Sequence, residues 1–117
     1  MRMMTENEQA ALDAFAKQLQ ARYPRSLARI TLFGSKARGD SDPESDIDVL
    51  VVLNNNSPYV RQEIRRLAAR ISLDYDVLLS VRALDRDAWE PFARYKFPLY
   101  QEVETDGIDL MERPATA

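Results

Sequence analysis

Leu32-Phe33-Gly34-Ser35-Lys36-Ala37-Arg38-Gly39-Asp40, then Ser41 to Ser45, then Asp46-Ile47-Asp48-Val49-Leu50-Val51-Val52-Leu53, is the stretch whose reading decides the fold. Val49 to Leu53 is apolar and rich in β-branched residues, the pattern of an interior strand. Two carboxylates stand at its start. Charged side chains are almost never fully buried unless something pairs them. A metal ion is one such partner, and a Gly-Ser turn just upstream suits a phosphate. Together they point to nucleotidyl transfer.

Alternation in a strand sends residues i and i+2 to one face, so Asp46 and Asp48 project side by side, with Cα atoms roughly 6.5 to 7 Å apart. Ile47 and Val49 face the other way, into a core. Carboxylates so placed can share a pair of Mg²⁺ ions about 3.5 to 4 Å apart. Mg²⁺ takes hard oxygen ligands, often one or two carboxylates plus substrate phosphates. Upstream, Arg29 to Phe33 reads as a strand that ends at Gly34 and Ser35. A strand opening through Gly-Ser into a short helix turns backbone N–H groups toward an anion. Glycine allows close backbone approach, and the serine hydroxyl adds a donor. Lys36 and Arg38 lie where they could reach phosphate oxygens. The competing reading has Lys36 solvated and Arg38 bracing the loop through a carboxylate.

Composition narrows the chemistry. The 117 residues fit one domain, 1–117, with its ends, 1–4 and 112–117, expected to fray. Cysteine is absent, which excludes disulfides, thiol nucleophiles and zinc–thiolate sites. Histidine is absent too, so no imidazole base or ligand exists. Carboxylates and Mg²⁺ remain. A net charge of −3 argues against nucleic acid as a direct ligand. No apolar run is long enough to span a membrane and no signal peptide is evident, so a cytoplasmic setting is expected.

Along the chain, Thr5-Glu6-Asn7-Glu8 forms a capping box, and Leu12, Phe15, Ala16, Leu19 and Tyr23 recur at helical spacing until Pro24. The next strand spans Asp46 to Leu53. Ser57 and Pro58 open a helix whose apolar face is Val60, Ile64, Leu67, Ala68 and Ile71. Arg61, Arg65, Arg66 and Arg70 share that helix, as a solvated face or a site for an acidic partner. Asp74 to Ser80 reads as a third strand. Helices follow near Asp85 to Arg94 and Pro98 to Asp106; Gly107 ends the last, and Ile108 to Met111 reads as a short strand. The aromatics Trp89, Phe92, Tyr95, Phe97 and Tyr100 read as core rather than partner surface. Asp40, Asp42 and Glu44 read as a solvated loop.

At Leu32-Phe33-Gly34-Ser35, Ala37-Arg38-Gly39 and Ser45-Asp46-Ile47-Asp48-Val49 the chain resembles the nucleotidyltransferase fold of the DNA polymerase β superfamily. More closely, it resembles the minimal nucleotidyltransferases that act as antitoxins in HEPN–MNT toxin–antitoxin modules. The stretch from Pro98-Leu99-Tyr100 to Gly107-Ile108-Asp109-Leu110 is similar to the end of such proteins. The resemblance implies an α/β (α+β) fold with a small mixed sheet of three or four strands backed by helices. It implies Gly34 and Ser35, with Lys36 and Arg38, as the nucleotide-binding loop, and Asp46 and Asp48 as ligands of Mg²⁺. The family's third carboxylate, a metal ligand and proton acceptor, lies before an apolar run on a later strand. Asp76 fits that position, and Asp74 remains an alternative on the same strand face.

The reaction so implied moves AMP from ATP to a hydroxyl. The nucleotide-binding core uses nearly the whole chain, so a partner is expected to complete the acceptor site. The resemblance implies a tyrosine of a cognate HEPN ribonuclease toxin. Three other readings stay open: a small-molecule nucleotidyltransferase subunit acting on an aminoglycoside-like acceptor, a non-catalytic antitoxin acting by binding, and a nucleic-acid-binding accessory protein.

Overall fold

The computed structural model describes residues 4–40 and 45–111. The expected fraying of residues 1–3 and 112–117, and the loop assigned to Asp42 and Glu44, lie outside the described residues. Four strands form one mixed sheet. Helix α1 (Glu6–Arg22) precedes β1 (Leu27–Phe33), and a single helical turn, α2 (Ser35–Arg38), leads toward β2 (Ile47–Leu53). Helix α3 (Pro58–Tyr75) then crosses to β3 (Leu79–Asp85). Helices α4 (Arg86–Arg94) and α5 (Pro98–Asp106) bring the chain back to a two-residue strand, β4 (Ile108–Asp109). Strand β1 runs antiparallel to β2 and β4, whereas β3 runs parallel to β2. The parallel pair requires a long crossover, which α3 supplies.

Local chemistry sets the helix ends. The Thr5 hydroxyl accepts from the Glu8 N–H, and the Glu8 carboxylate accepts from the Thr5 N–H, closing the capping box. Ser57 caps α3 through the Val60 N–H, with Pro58 in the first turn. Asp85, at the end of β3, caps α4 through the Ala88 N–H.

The sheet divides the interior in two. On one face Ile47, Val49, Val51 and Leu53 of β2 pack with Leu12, Phe15 and Leu19 of α1 and Ile64, Leu67 and Ile71 of α3. On the other, Leu50 and Val52 of β2 meet Phe33 and Val103, with Trp89 and Leu99 partly covering them. Asp48 has the same parity as Leu50 and Val52, so it belongs to the second, less covered face.

The third strand is not where the sequence pattern puts it. Asp74 is helical, and Asp76 is the residue that terminates α3. Tyr75 lies four residues beyond Ile71 and extends the apolar face by another turn, packing against the core. Asp76 then adopts a left-handed conformation, φ 53°, which a short polar side chain tolerates. Its N–H and that of Val77 both donate to the Ser72 carbonyl. The strand begins at Leu79, held by the Ser72 hydroxyl, and includes Arg82 and Asp85. The apolar run Val77-Leu78-Leu79 hides this shift, because helix exit and strand entry are equally apolar.

The aromatic stretch is only partly core. Trp89 is half-buried, but Tyr95 and Phe97 are 62% and 42% exposed. On α3, Arg61 pairs with Asp85 at 3.6 Å and Arg66 with Glu63 at 3.0 Å, so part of the arginine face is answered within the chain.

Candidate active site

Strand β1 ends at Phe33, which lies directly opposite Asp48 of β2. The next residue, Gly34, turns sharply with φ 77°. A Cβ placed on it would lie 2.5 Å from a carboxylate oxygen of Asp48. A side chain at this position would have to displace the Asp48 carboxylate and hold a strained positive φ, so glycine suits it. Ser35 opens α2, and the Ala37 and Arg38 N–H groups fold back onto the Gly34 carbonyl. The earlier N–H groups of such a turn have no partner within it.

Asp46 and Asp48 are both half-buried. Burial pushes the Asp48 carboxyl above its ordinary value of 3.8, and the negative charges of Asp46 and Glu102 push it the same way. The cations Arg38 and Arg82 oppose this without cancelling it. A cleft of about 340 Å³ opens over Asp48, lined by Phe33, Ser80, Arg82, Pro98, Leu99 and Glu102. Ser80 pairs with Asp48 in the β2–β3 register, and Arg82 lies two residues on, on the same face. Helix α5 roofs the cleft.

The sequence candidates divide. Gly34 lies against Asp48, the charge of Asp46 acts on Asp48, and Ser35 follows Gly34 in the turn. Lys36 does not face this cleft: its ammonium is buried against Glu8 of α1 at 2.6 Å, with the side chain 1% exposed. It anchors α2 to α1. The alternative of a solvated Lys36 is likewise replaced by this buried pair. Arg38 braces the loop, pairing with Asp40 at 3.1 Å and with Asp106 of α5 at 3.4 Å. Asp76 lines a different cleft, with Thr5, Asn7, Glu8 and Ser45, and Asp74 lies exposed on α3.

Ser80, Arg82 and Glu102 escape sequence reasoning. The first two are invisible until β3 is placed at Leu79–Asp85. Glu102 did leave a trace. Leu99, Glu102, Val103 and Asp106 fall on one stripe of α5, and two of the four are acidic. Charge on the inward stripe of a helix signals a polar site beneath it. Among the described residues, no group of three or more carboxylates is already arranged as a metal cage.

The profile of the nucleotidyltransferase domain family matches residues 12–108. The chain belongs to this family. It is a nucleotidyltransferase. Over 67 residues it is 43% identical to the candidate protein adenylyltransferase MJ0141 of Methanocaldococcus jannaschii, covering 56% of this chain and 68% of that one. A crystal structure of a toxin–antitoxin with AMP-PNP contains a chain 25% identical, with a TM-score of 0.55, covering 87% of this chain and 74% of that one. A structure of a tri-AMPylated Shewanella oneidensis HEPN toxin in complex with an MNT antitoxin shares the fold, with a TM-score of 0.52 at 24% identity, covering 90% of this chain and 73% of that one.

Proposed function

We propose that this nucleotidyltransferase moves AMP from ATP to a hydroxyl of a partner protein, with a tyrosine of a HEPN-type toxin as acceptor. The contact of Gly34 with Asp48 under an open cleft carries the reading. It places an anion-holding turn against a carboxylate that its neighbours' charges already burden. A triphosphate and a carboxylate can share that space only with a cation between them. Asp46 and Asp48 are suited to hold Mg²⁺, which needs only one or two protein carboxylates when phosphates supply other ligands. When bound, Mg²⁺ supplies charge neutralisation at the phosphates.

The chain's own groups do the positioning. Gly34 and Ser35 offer backbone N–H groups and a hydroxyl to the phosphate tail, and Arg38 holds their turn by its pairs to Asp40 and Asp106. The acceptor oxygen attacks the α-phosphorus, and the bond to the bridging oxygen breaks, its electron pair leaving with pyrophosphate. The hydroxyl proton must go to a base. Glu102 faces the same cleft as Asp48, whereas Asp76 lies in a different one, so Glu102 is the better placed acceptor. The MJ0141 relative and the AMPylated HEPN complex support AMP transfer to protein as the chemistry.

Incubating the chain with ATP, Mg²⁺ and the cognate toxin, then weighing the intact toxin, tests the proposal. Discrete additions of AMP are expected, and none with the Asp46→Asn/Asp48→Asn protein. Neutralisation of an unmodified toxin by that double variant would replace catalysis with occlusion. Transfer to a small antibiotic but not to the toxin would overturn the protein acceptor. Glu102→Gln should abolish transfer while keeping ATP affinity, and Asp76→Asn should leave transfer largely intact; the reverse result would restore Asp76 as the third carboxylate.

A further inference from the structure

Both loop cations are already paired within the chain. Lys36 is buried with Glu8, and Arg38 is occupied by Asp40 and Asp106. A triphosphate carries several negative charges, and the cleft already holds the charges of Asp48 and Glu102. One cationic side chain lines it: Arg82, from the edge strand β3. Among the described residues Arg82 makes no ion pair or hydrogen bond, and it is exposed. Strand alternation fixes its direction, since Asp48–Ser80 and Leu50–Arg82 are successive pairs on one face of the sheet. A guanidinium there presents a planar fork of donors suited to phosphate oxygens.

We infer that Arg82 grips the phosphate tail of the bound nucleotide from the β3 side, opposite the Gly34-Ser35 turn. This rests on the nucleotide-transfer reading and adds a binding residue to it. The tail is thereby held by backbone N–H groups on one side and by a guanidinium on the other. Glu102 and Asp48, between them, keep the cleft from holding the tail without a cation. A ligand lacking the tail gains nothing from Arg82.

Calorimetry with Mg²⁺ and three probes, ATP, AMP and inorganic tripolyphosphate, reads this directly. Arg82→Ala should weaken ATP and tripolyphosphate by about tenfold or more, the scale of one charge-assisted contact, and leave AMP within about twofold. Arg82→Lys, which keeps the charge but not the fork, should fall between. Arg65→Ala removes an exposed arginine from α3 and should leave all three affinities unchanged, which separates a local grip from net charge. Melting curves for the Arg82 variants should match the parent, as the side chain is exposed. Parent-like ATP affinity in Arg82→Ala overturns the inference and leaves the transferase reading standing. A parent chain that binds neither ATP nor tripolyphosphate overturns both.

Discussion

The two faces of the sheet differ in what covers them. Toward α1 and α3, β2 presents Ile47, Val49, Val51 and Leu53, all 1% exposed or less, against two long helices. Toward α4 and α5, the same strand presents Asp48, Leu50 and Val52, and the shorter helices leave a cleft open over the carboxylate. Strand alternation thus places scaffold and chemistry back to back, one residue apart. The packed face can keep the fold while the open face carries unfavourable charge, as sites built for chemistry commonly do.

That division can be broken most severely from the packed side. Phe15 is fully buried between α1 and the sheet. Phe15→Ala should cost about 3 to 5 kcal/mol, from lost burial and the cavity left behind. Urea titration followed by circular dichroism measures it. A loss below about 1 kcal/mol would mean that this face is not the scaffold.

A smaller effect tests the link between α1 and the loop. Burial alone would raise the Glu8 carboxyl, but the hydrogen bond from Lys36 and those from Thr5 outweigh it and hold it below its ordinary 4.5. A depressed carboxylate stabilises the fold above its unfolded value, and that contribution is lost as pH falls through the folded value. The parent should therefore lose stability below about pH 4.5 in part through Glu8. Glu8→Gln should remove that portion of the acid dependence. It should also lower neutral-pH stability by roughly 3 to 5 kcal/mol at most, because a buried ammonium loses the Glu8 carboxylate. Denaturant midpoints from pH 3 to 7 give both; an unchanged acid limb would remove Glu8 from the account.

The open face predicts the opposite sign. Asp48 is held above its ordinary value, so its ionised form is less favourable in the folded state than in the unfolded one. The cost is absent below the unfolded value and grows as pH rises through the folded one. Asp48→Asn should thus abolish nucleotide transfer yet leave stability at pH 7 unchanged or slightly higher, by no more than about 1 kcal/mol. Melting temperatures with a transfer assay check the pair of outcomes. A marked loss of stability would show Asp48 to be structural.

Gly34 sharpens the comparison last. Gly34→Ala puts a methyl group against the Asp48 carboxylate at a positive φ, at a strain of about 1 to 3 kcal/mol. Because the carboxylate can yield, activity should fall further than stability, read by comparing initial rates with melting temperature.

Much of this organisation was legible in the residues. Thr5/Glu8, Ser57-Pro58 and Gly107 mark their helix ends through local hydrogen bonding and sterics, which need only neighbouring positions. Val49 to Leu53 announces an interior strand by composition alone. Gly34 comes against Asp48 because β1 and β2 are antiparallel neighbours. What was not legible depends on distant contacts. Lys36 looks like a phosphate ligand until α1 brings Glu8 beneath it. Asp76 looks like a strand residue because the turn between α3 and β3 is written in apolar letters. Arg82 gains its meaning only from a parallel register with β2, set by an 18-residue crossover helix.

Glu8 serves two masters. One oxygen closes the first turn of α1 on Thr5, and the other holds the Lys36 ammonium of α2. If the first turn of α1 opens, the buried ammonium loses the Glu8 carboxylate, and α2 is expected to loosen with it. Amide hydrogen exchange at Ala37, Arg38 and Gly39 should then keep time with that at Glu8 and Gln9, although nearly thirty residues separate them. Opening of the turn after β1 is then governed by a helix end that comes before β1 in the chain.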